Sequence, residues 1–255
     1  MKNNNKSARI IYVSMALLFV VTAIAGFAPT SIGLIKGVTS GQLSFPPFIL
    51  HFHAASLSLW LLLLLAQTLL MYTARPKLHK TLGLASFVIA PCLLISMYGV
   101  EVMNIGNNVL MRNGTAPAQD TEFMRNISTS LLVHTVSYVF FPLFYLRAIM
   151  TRKKDGETHK RMMILATLVL MIPGLGRLLS VTQVIPDFGL SVIDARHFYM
   201  LLLIVPALAY DIVKDGRPHR AYMMGLGLLG IWIVIAHFLW GSVWWMQSSP
   251  KLLGV

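Results

Sequence analysis

Apolar residues run through this chain in blocks of bilayer length, separated by short charged or Gly- and Pro-bearing segments. Seven such blocks lie at 10–28, 47–73, 81–101, 128–150, 162–183, 196–213 and 221–246. A helix of about 20 apolar residues crosses a hydrocarbon core at about 1.5 Å per residue. The pattern therefore predicts an all-α integral membrane protein, one domain over 1–255, with a first helix followed by three helical hairpins. Two blocks carry polar stripes. In the second, His53, Ser56, Trp60 and Gln67 fall on one helical face. In the fourth, His134, Ser137, Tyr138, Phe141 and Tyr145 do the same, and Pro142 sits near the middle. Lipid cannot satisfy polar groups, so these stripes should face one another or water. His51 lies about 200° around the helix from His53 and should point elsewhere.

Between the blocks, outer loops are expected at 29–46, 102–127 and 184–195. Three cytoplasmic turns close on a common pattern: Lys77-Leu78-His79-Lys80, Glu157-Thr158-His159-Lys160 and Arg217-Pro218-His219-Arg220. Each hairpin opens with a histidine in its outer half (His53, His134, His197), which suggests a repeated hairpin unit. The turn histidines read as headgroup-contacting interface residues.

Composition agrees with a membrane setting. The chain is 56% hydrophobic and 12% charged, with a mean hydropathy of +0.70, where a soluble domain carries about a quarter charged residues. With the N-terminus in the cytoplasm, fifteen Lys and Arg fall on the inner side and five on the outer side, with Arg177 inside a helix. That is the asymmetry of the positive-inside rule. The net charge of +12 thus reflects orientation in a cell inner membrane, N-in and C-out, and gives no reason to expect nucleic acid binding. The first block lacks a small-residue cleavage site after Gly26 and reads as a retained helix. Cys92 has no second cysteine to pair with. The fifteen methionines read as packing residues. Gly225, Gly227 and Gly230 read as close helix contacts, and Trp240, Trp244 and Trp245 as an outer aromatic belt. Asn113-Gly-Thr and Asn126-Ile-Ser match the glycosylation pattern on the outer side.

Candidate chemistry sits in the outer half. Five of the eight histidines (His51, His53, His134, His197, His237) and Arg177 fall there, with Glu101 at the end of the third block. Counted from the block ends, His53 and His134 lie about 9 Å deep and His237 about 13 Å deep, while His197 is shallower. Intramembrane ionisable groups face a bundle interior, a cavity or a bound group. Imidazole binds iron, copper and zinc, and two histidines on neighbouring helices can hold a haem. The ligand candidates are His53, His134, His237 and then His197. Arg177, with Arg196, would be an anion or propionate partner. Arg177 can alternatively pair with Glu101 or with carbonyls freed by Pro173-Gly174-x-Gly176. A zinc-dependent membrane hydrolase, with Glu101 or Asp194 as base, and a cofactor-free transporter or assembly partner stand as alternatives. No tight His-x-x-x-His or His-Glu-x-x-His spacing occurs. Retinal chemistry is set aside because 221–246 has no lysine.

Two segments resemble short patterns of uncharacterised bacterial multi-pass inner-membrane proteins. His53 to Gln67, leading into Leu78-His79-Lys80-Thr81-Leu82-Gly83, resembles their His-Arg-x-x-Gly helix start. Thr158-His159-Lys160-Arg161-Met162-Met163, followed by Arg177, resembles their His-Arg-x-x-Met start. This chain has Lys80 and Lys160 where those proteins often have arginine. The likeness covers about 47–183, and up to 237 through the repeat, and implies a bacterial inner-membrane architecture. There is also a looser likeness, by analogy, to multi-helix b-type cytochromes and haem-oxidase assembly proteins. The leading expectation from the histidine layer is a b-type haem or a transition metal (Zn, Cu or Fe) in the outer half, for electron transfer or a membrane redox reaction, with quinone or another membrane redox protein as partner.

Overall fold

The computed structural model describes residues 2–110, 121–249 and 251. The helices in chain order are α1 (Lys2–Thr39), α2 (Phe48–Tyr72), α3 (Pro76–Gly83), α4 (Ser86–Leu110) and α5 (Thr121–Thr151). They continue as α6 (Gly156–Leu168), a 3₁₀ turn (Val169–Met171), α7 (Ile172–Ser180), α8 (Val192–Asp215), α9 (Arg220–Leu239) and α10 (Val243–Ser248). No strand occurs among the described residues. Seven helical stretches are long and apolar enough to cross a membrane: Arg9–Thr39, Phe48–Tyr72, Ser86–Asn104, Met124–Thr151, Gly156–Ser180, Val192–Asp215 and Arg220–Leu239. The protein is an all-α membrane fold with seven candidate spans.

Three boundaries differ most from expectation. The first helix does not end at 28 but passes through Pro29 to Thr39. Ile32, Leu34 and Ile35 keep that extension apolar, and in lipid the helix is the conformation that satisfies its own backbone. Much of the expected loop 102–127 is also helical, as α4 runs on to Leu110 and α5 starts at Thr121; Asn113 lies outside the described residues. The seventh span ends at Leu239 rather than 246. Gly241, with φ +75°, turns the chain there, and the Ser242 hydroxyl caps a new short helix by accepting from the Trp245 amide at 3.2 Å. Trp244 and Trp245 thus sit on α10, and Trp245 Nε1 donates to the Ser128 carbonyl at 2.9 Å.

The fifth span, α6 through α7, occupies the centre. In its most apolar window 72% of residues are buried, against 22% for the second and seventh spans. It packs against α1, α5, α8 and α9. Its break at Val169–Met171 follows from Pro173, which has no N–H to give the Val169 carbonyl four residues back. The Ser137 hydroxyl on α5 supplies the missing donor at 2.7 Å. On the other side α1 crosses closely: a Cβ on Gly26 would fall into the Gly174 backbone, so the two helices meet glycine to glycine.

The two polar stripes do face one another. Trp60 on α2 meets Phe141 and Tyr145 on α5 edge-on, with ring centroids 4.9 and 5.6 Å apart. Its Nε1 donates to the Thr167 hydroxyl on α6 at 3.1 Å, so the indole is fully buried with its one donor satisfied.

One end of the bundle holds the turns at 73–75, 152–155 and 216–219 and is called here the basic end. Arg161 and Asp211 are both buried there. Arg161 Nε donates to Asp211 Oδ2 at 2.9 Å and Nη2 to Oδ1 at 2.5 Å, a two-pronged fork. Nη1 reaches Glu157 Oε2 at 2.6 Å. The His219 amide donates to Asp211 Oδ2 at 3.0 Å, and Arg220 Nη2 donates to Asp155 Oδ2 at 3.0 Å. The turn histidines also bond to protein: His159 Nδ1 donates to the Ala148 carbonyl at 2.9 Å. His219 Nδ1 accepts from the Ala221 amide at 3.2 Å, capping α9. Hydrogen bonds from the Thr158 amide and hydroxyl, and from Arg220, hold the Asp155 carboxyl well below its usual range.

Candidate functional site

The opposite end gathers the predicted histidines, because inter-helix contacts tie the relevant halves of α2, α4, α5, α8 and α9 into one layer. On α5, His134 Nδ1 donates to Glu101 Oε2 of α4 at 2.6 Å, and the Ser130 hydroxyl donates to Glu101 Oε1 at 2.7 Å. Glu101 is almost fully buried, at 3% side-chain exposure. A buried carboxylate in a spanning bundle needs such donors. On α2, His53 Nδ1 lies 3.1 Å from the Ser96 oxygen of α4. Ser96 gives its own hydrogen to the Leu93 carbonyl at 2.8 Å, so the histidine must be the donor. On α9, His237 Nδ1 lies 3.0 Å from Asp194 Oδ2 of α8, and the Ser191 hydroxyl steadies that carboxylate at 2.6 Å.

These contacts share a consequence. His53, His134 and His237 are each held through Nδ1–H, so each neutral ring carries its lone pair on Nε2, which makes no hydrogen bond among the described residues. A hydrogen bond at one ring nitrogen sets the tautomer and the aim of the other.

The candidates are not equivalent. His237, expected at depth, is in the last turn of α9 and 58% exposed, because the helix stops seven residues earlier than the apolar run does. His197, expected near the interface, is buried at 2% exposure, because α8 starts at Val192 and places it more than one turn inside. Both of its ring nitrogens are buried and lack a hydrogen-bond partner. His51 is exposed and stacks on Phe45 at 5.0 Å, away from His53 as its helical angle requires.

Arg177 does not pair with Glu101. Its guanidinium lies 4.4 Å over the Phe27 ring of α1, and Nη1 donates to the Pro173 carbonyl at 3.3 Å. The cation is thus held by a ring face and a carbonyl near the proline break. Arg196 lies flat against Gly176, where a Cβ would come within 2.8 Å of Nε. Its Nε is buried without a partner. A cleft of about 430 Å³ opens beside it, lined by Arg125, Asn126, Thr129, Ser130, Arg196 and Trp240.

The fork of Arg161 and Asp211 and the Ser96 partner of His53 were not anticipated. Asp211 is the one acid within the sixth apolar run, and an intramembrane carboxylate signals a buried partner. That signal pointed to the fork without naming Arg161. Ser96 offered no signal, since a lone serine in an apolar helix commonly bonds its own backbone.

Among the described residues, no three His, Cys, Asp or Glu side chains converge as a metal-holding group. No family model, curated protein or solved structure matches the chain.

Proposed function

We propose that this is a bacterial inner-membrane protein, with its N-terminus in the cytoplasm, whose histidine end binds a b-type haem or a transition metal. Its task is electron transfer or a membrane redox reaction, with quinone or another membrane redox protein as partner. The observation that carries the reading is the common anchoring of His53, His134 and His237 through Nδ1–H, which leaves Nε2 as the ligating atom. His53 and His134, anchored respectively to Ser96 and Glu101 of the same helix α4, are the first choice of ligands. His237 and His197 come next, and Arg177 and Arg196 are cations for carboxylate substituents. A haem is held by one or two protein ligands, whereas an open catalytic zinc site needs three, which favours haem over the zinc hydrolase with Glu101 or Asp194 as base. When bound, haem would supply one-electron chemistry. The chain's own residues would aim the imidazoles, through Ser96 and Glu101.

The test is an absorption spectrum with metal analysis on detergent-purified protein. A Soret band that shifts on dithionite reduction, and is lost in His53→Ala or His134→Ala, is the expected result. A colourless, metal-free protein that takes up neither haem nor metal on supplementation overturns it. In that case the part-buried, 2.6 Å pair of Glu101 and His134 favours a second reading, a proton-linked transporter or assembly partner. Glu101→Gln would then abolish proton coupling.

A further inference from the structure

We propose that the cleft between the start of α5 and the start of α8 is a binding site for a phosphate-class anion. The ligand is either the headgroup phosphate of an anionic lipid or the free ion. The 430 Å³ cleft holds a phosphate group and several waters, each water taking about 30 Å³. Arg125 borders it from α5 and Arg196 from α8. The guanidinium fork suits phosphate oxygens in pairs.

Neither arginine has a carboxylate partner among the described residues. The described acids of that end are engaged elsewhere: Glu101 with His134 and Ser130, Asp194 with His237 and Ser191, and Asp187 with the Gly189 amide. Two guanidiniums that no described carboxylate meets, beside one cleft, suit an anion.

The rest of the lining suits the same ligand. Thr129 Oγ1 accepts from Trp240 Nε1 at 3.2 Å, which leaves its own hydrogen for a ligand. The Asn126 amide supplies further donors. Glu101 stands behind Ser130, already bonded to it, and is not part of the lining. Arg196 is pre-positioned: it rests on Gly176 in space that any side chain there would fill. Trp240, with Trp244 and Trp245 on the next turn and helix, places the cleft at the level where interfacial aromatics lie, beside lipid phosphates. None of the three Nδ1-anchored histidines lines the cleft; Arg196 is the residue it shares with the redox reading, and Arg125, which that reading does not use, tells the two apart.

The test is binding to the full chain purified in detergent, followed by thermophoresis. The probes are inorganic phosphate and bicelles containing phosphatidylglycerol, with phosphatidylcholine-only bicelles as reference. Saturable binding is expected, weakened at least ten-fold in Arg125→Gln and in Arg196→Gln, with Arg125→Lys retaining part of it. Arg125 is exposed, so its glutamine variant keeps the fold and decides the matter even if Arg196→Gln does not. Binding of the phosphatidylglycerol bicelles alone identifies a headgroup site, and binding of inorganic phosphate as well identifies an anion site proper. Absence of saturable binding by both probes, or unchanged binding in Arg125→Gln, overturns the proposal.

Discussion

Removing Asp211 should destabilise the protein more than any exposed charge change, and the size of the loss can be worked from its contacts. The side chains of Arg161 and Asp211 are 1% and 2% exposed. Asp211→Ala takes away the acceptors of Arg161 Nε and Nη2 and of the His219 amide together. Breaking a buried ion pair from one side costs about 3–5 kcal/mol. Glu157 remains 2.6 Å from Nη1 but is half exposed, so it offsets part of the loss. The expected cost is therefore near the lower limit, about 3 kcal/mol, or roughly 150-fold in the unfolding equilibrium. Unfolding in mixed micelles with increasing dodecyl sulfate, followed by tryptophan fluorescence, measures it. The double variant Arg161→Met with Asp211→Leu should recover most of that loss, because apolar side chains of similar size leave no charge in the core. A loss below about 1 kcal/mol in Asp211→Ala, the level of an exposed pair, would refute the reasoning. A double variant as unstable as the single one would refute it too.

Two further outcomes follow from the central helix and the basic end. Ser137→Ala strands the Val169 carbonyl and should cost about 1–3 kcal/mol in the same unfolding assay. That cost should shrink in a Pro173→Ala background, where residue 173 regains an N–H for that carbonyl. The second concerns His219, held below its ordinary value by burial first and by the charge of Arg161 second. The unfolded chain then binds more protons than the folded one, so the contribution to stability is complete above about pH 6.5 and declines as pH falls from there. Protonation also removes the acceptor that caps α9. Unfolding measured between pH 7.5 and 5.5 should show this slope in the wild type and a flatter one in His219→Asn, which caps without titrating.

Much of the fold was legible because bilayer length is a strong constraint, and all seven apolar runs correspond to candidate spans. Where helices end was less legible. Pro29 reads as a stop in water, yet a proline is tolerated mid-helix among apolar neighbours. Trp244 and Trp245 extend an apolar run but belong to a separate helix beyond Gly241. Those end effects also misplaced two site residues, since the depth of His197 and of His237 was counted from run boundaries. The facing of Trp60 on Phe141 and Tyr145 was legible from helical periodicity, as was the turning away of His51. The pairing of His53 with Ser96 and of His134 with Glu101 was not, because the order of helices around a bundle leaves no trace in a single chain's hydropathy.

The central position of the fifth span bears on how the protein is made. Arg161 emerges from the ribosome fifty residues ahead of Asp211, so a nascent chain holding α6 has an intramembrane arginine with only Glu157 to meet it. While it waits, that arginine can only reach back to Glu157 or to the membrane surface about one to two turns away. The order of the helices thus sets the order in which that charge is neutralised, and a chain truncated before Asp211 should be degraded faster than the full chain in a pulse-chase.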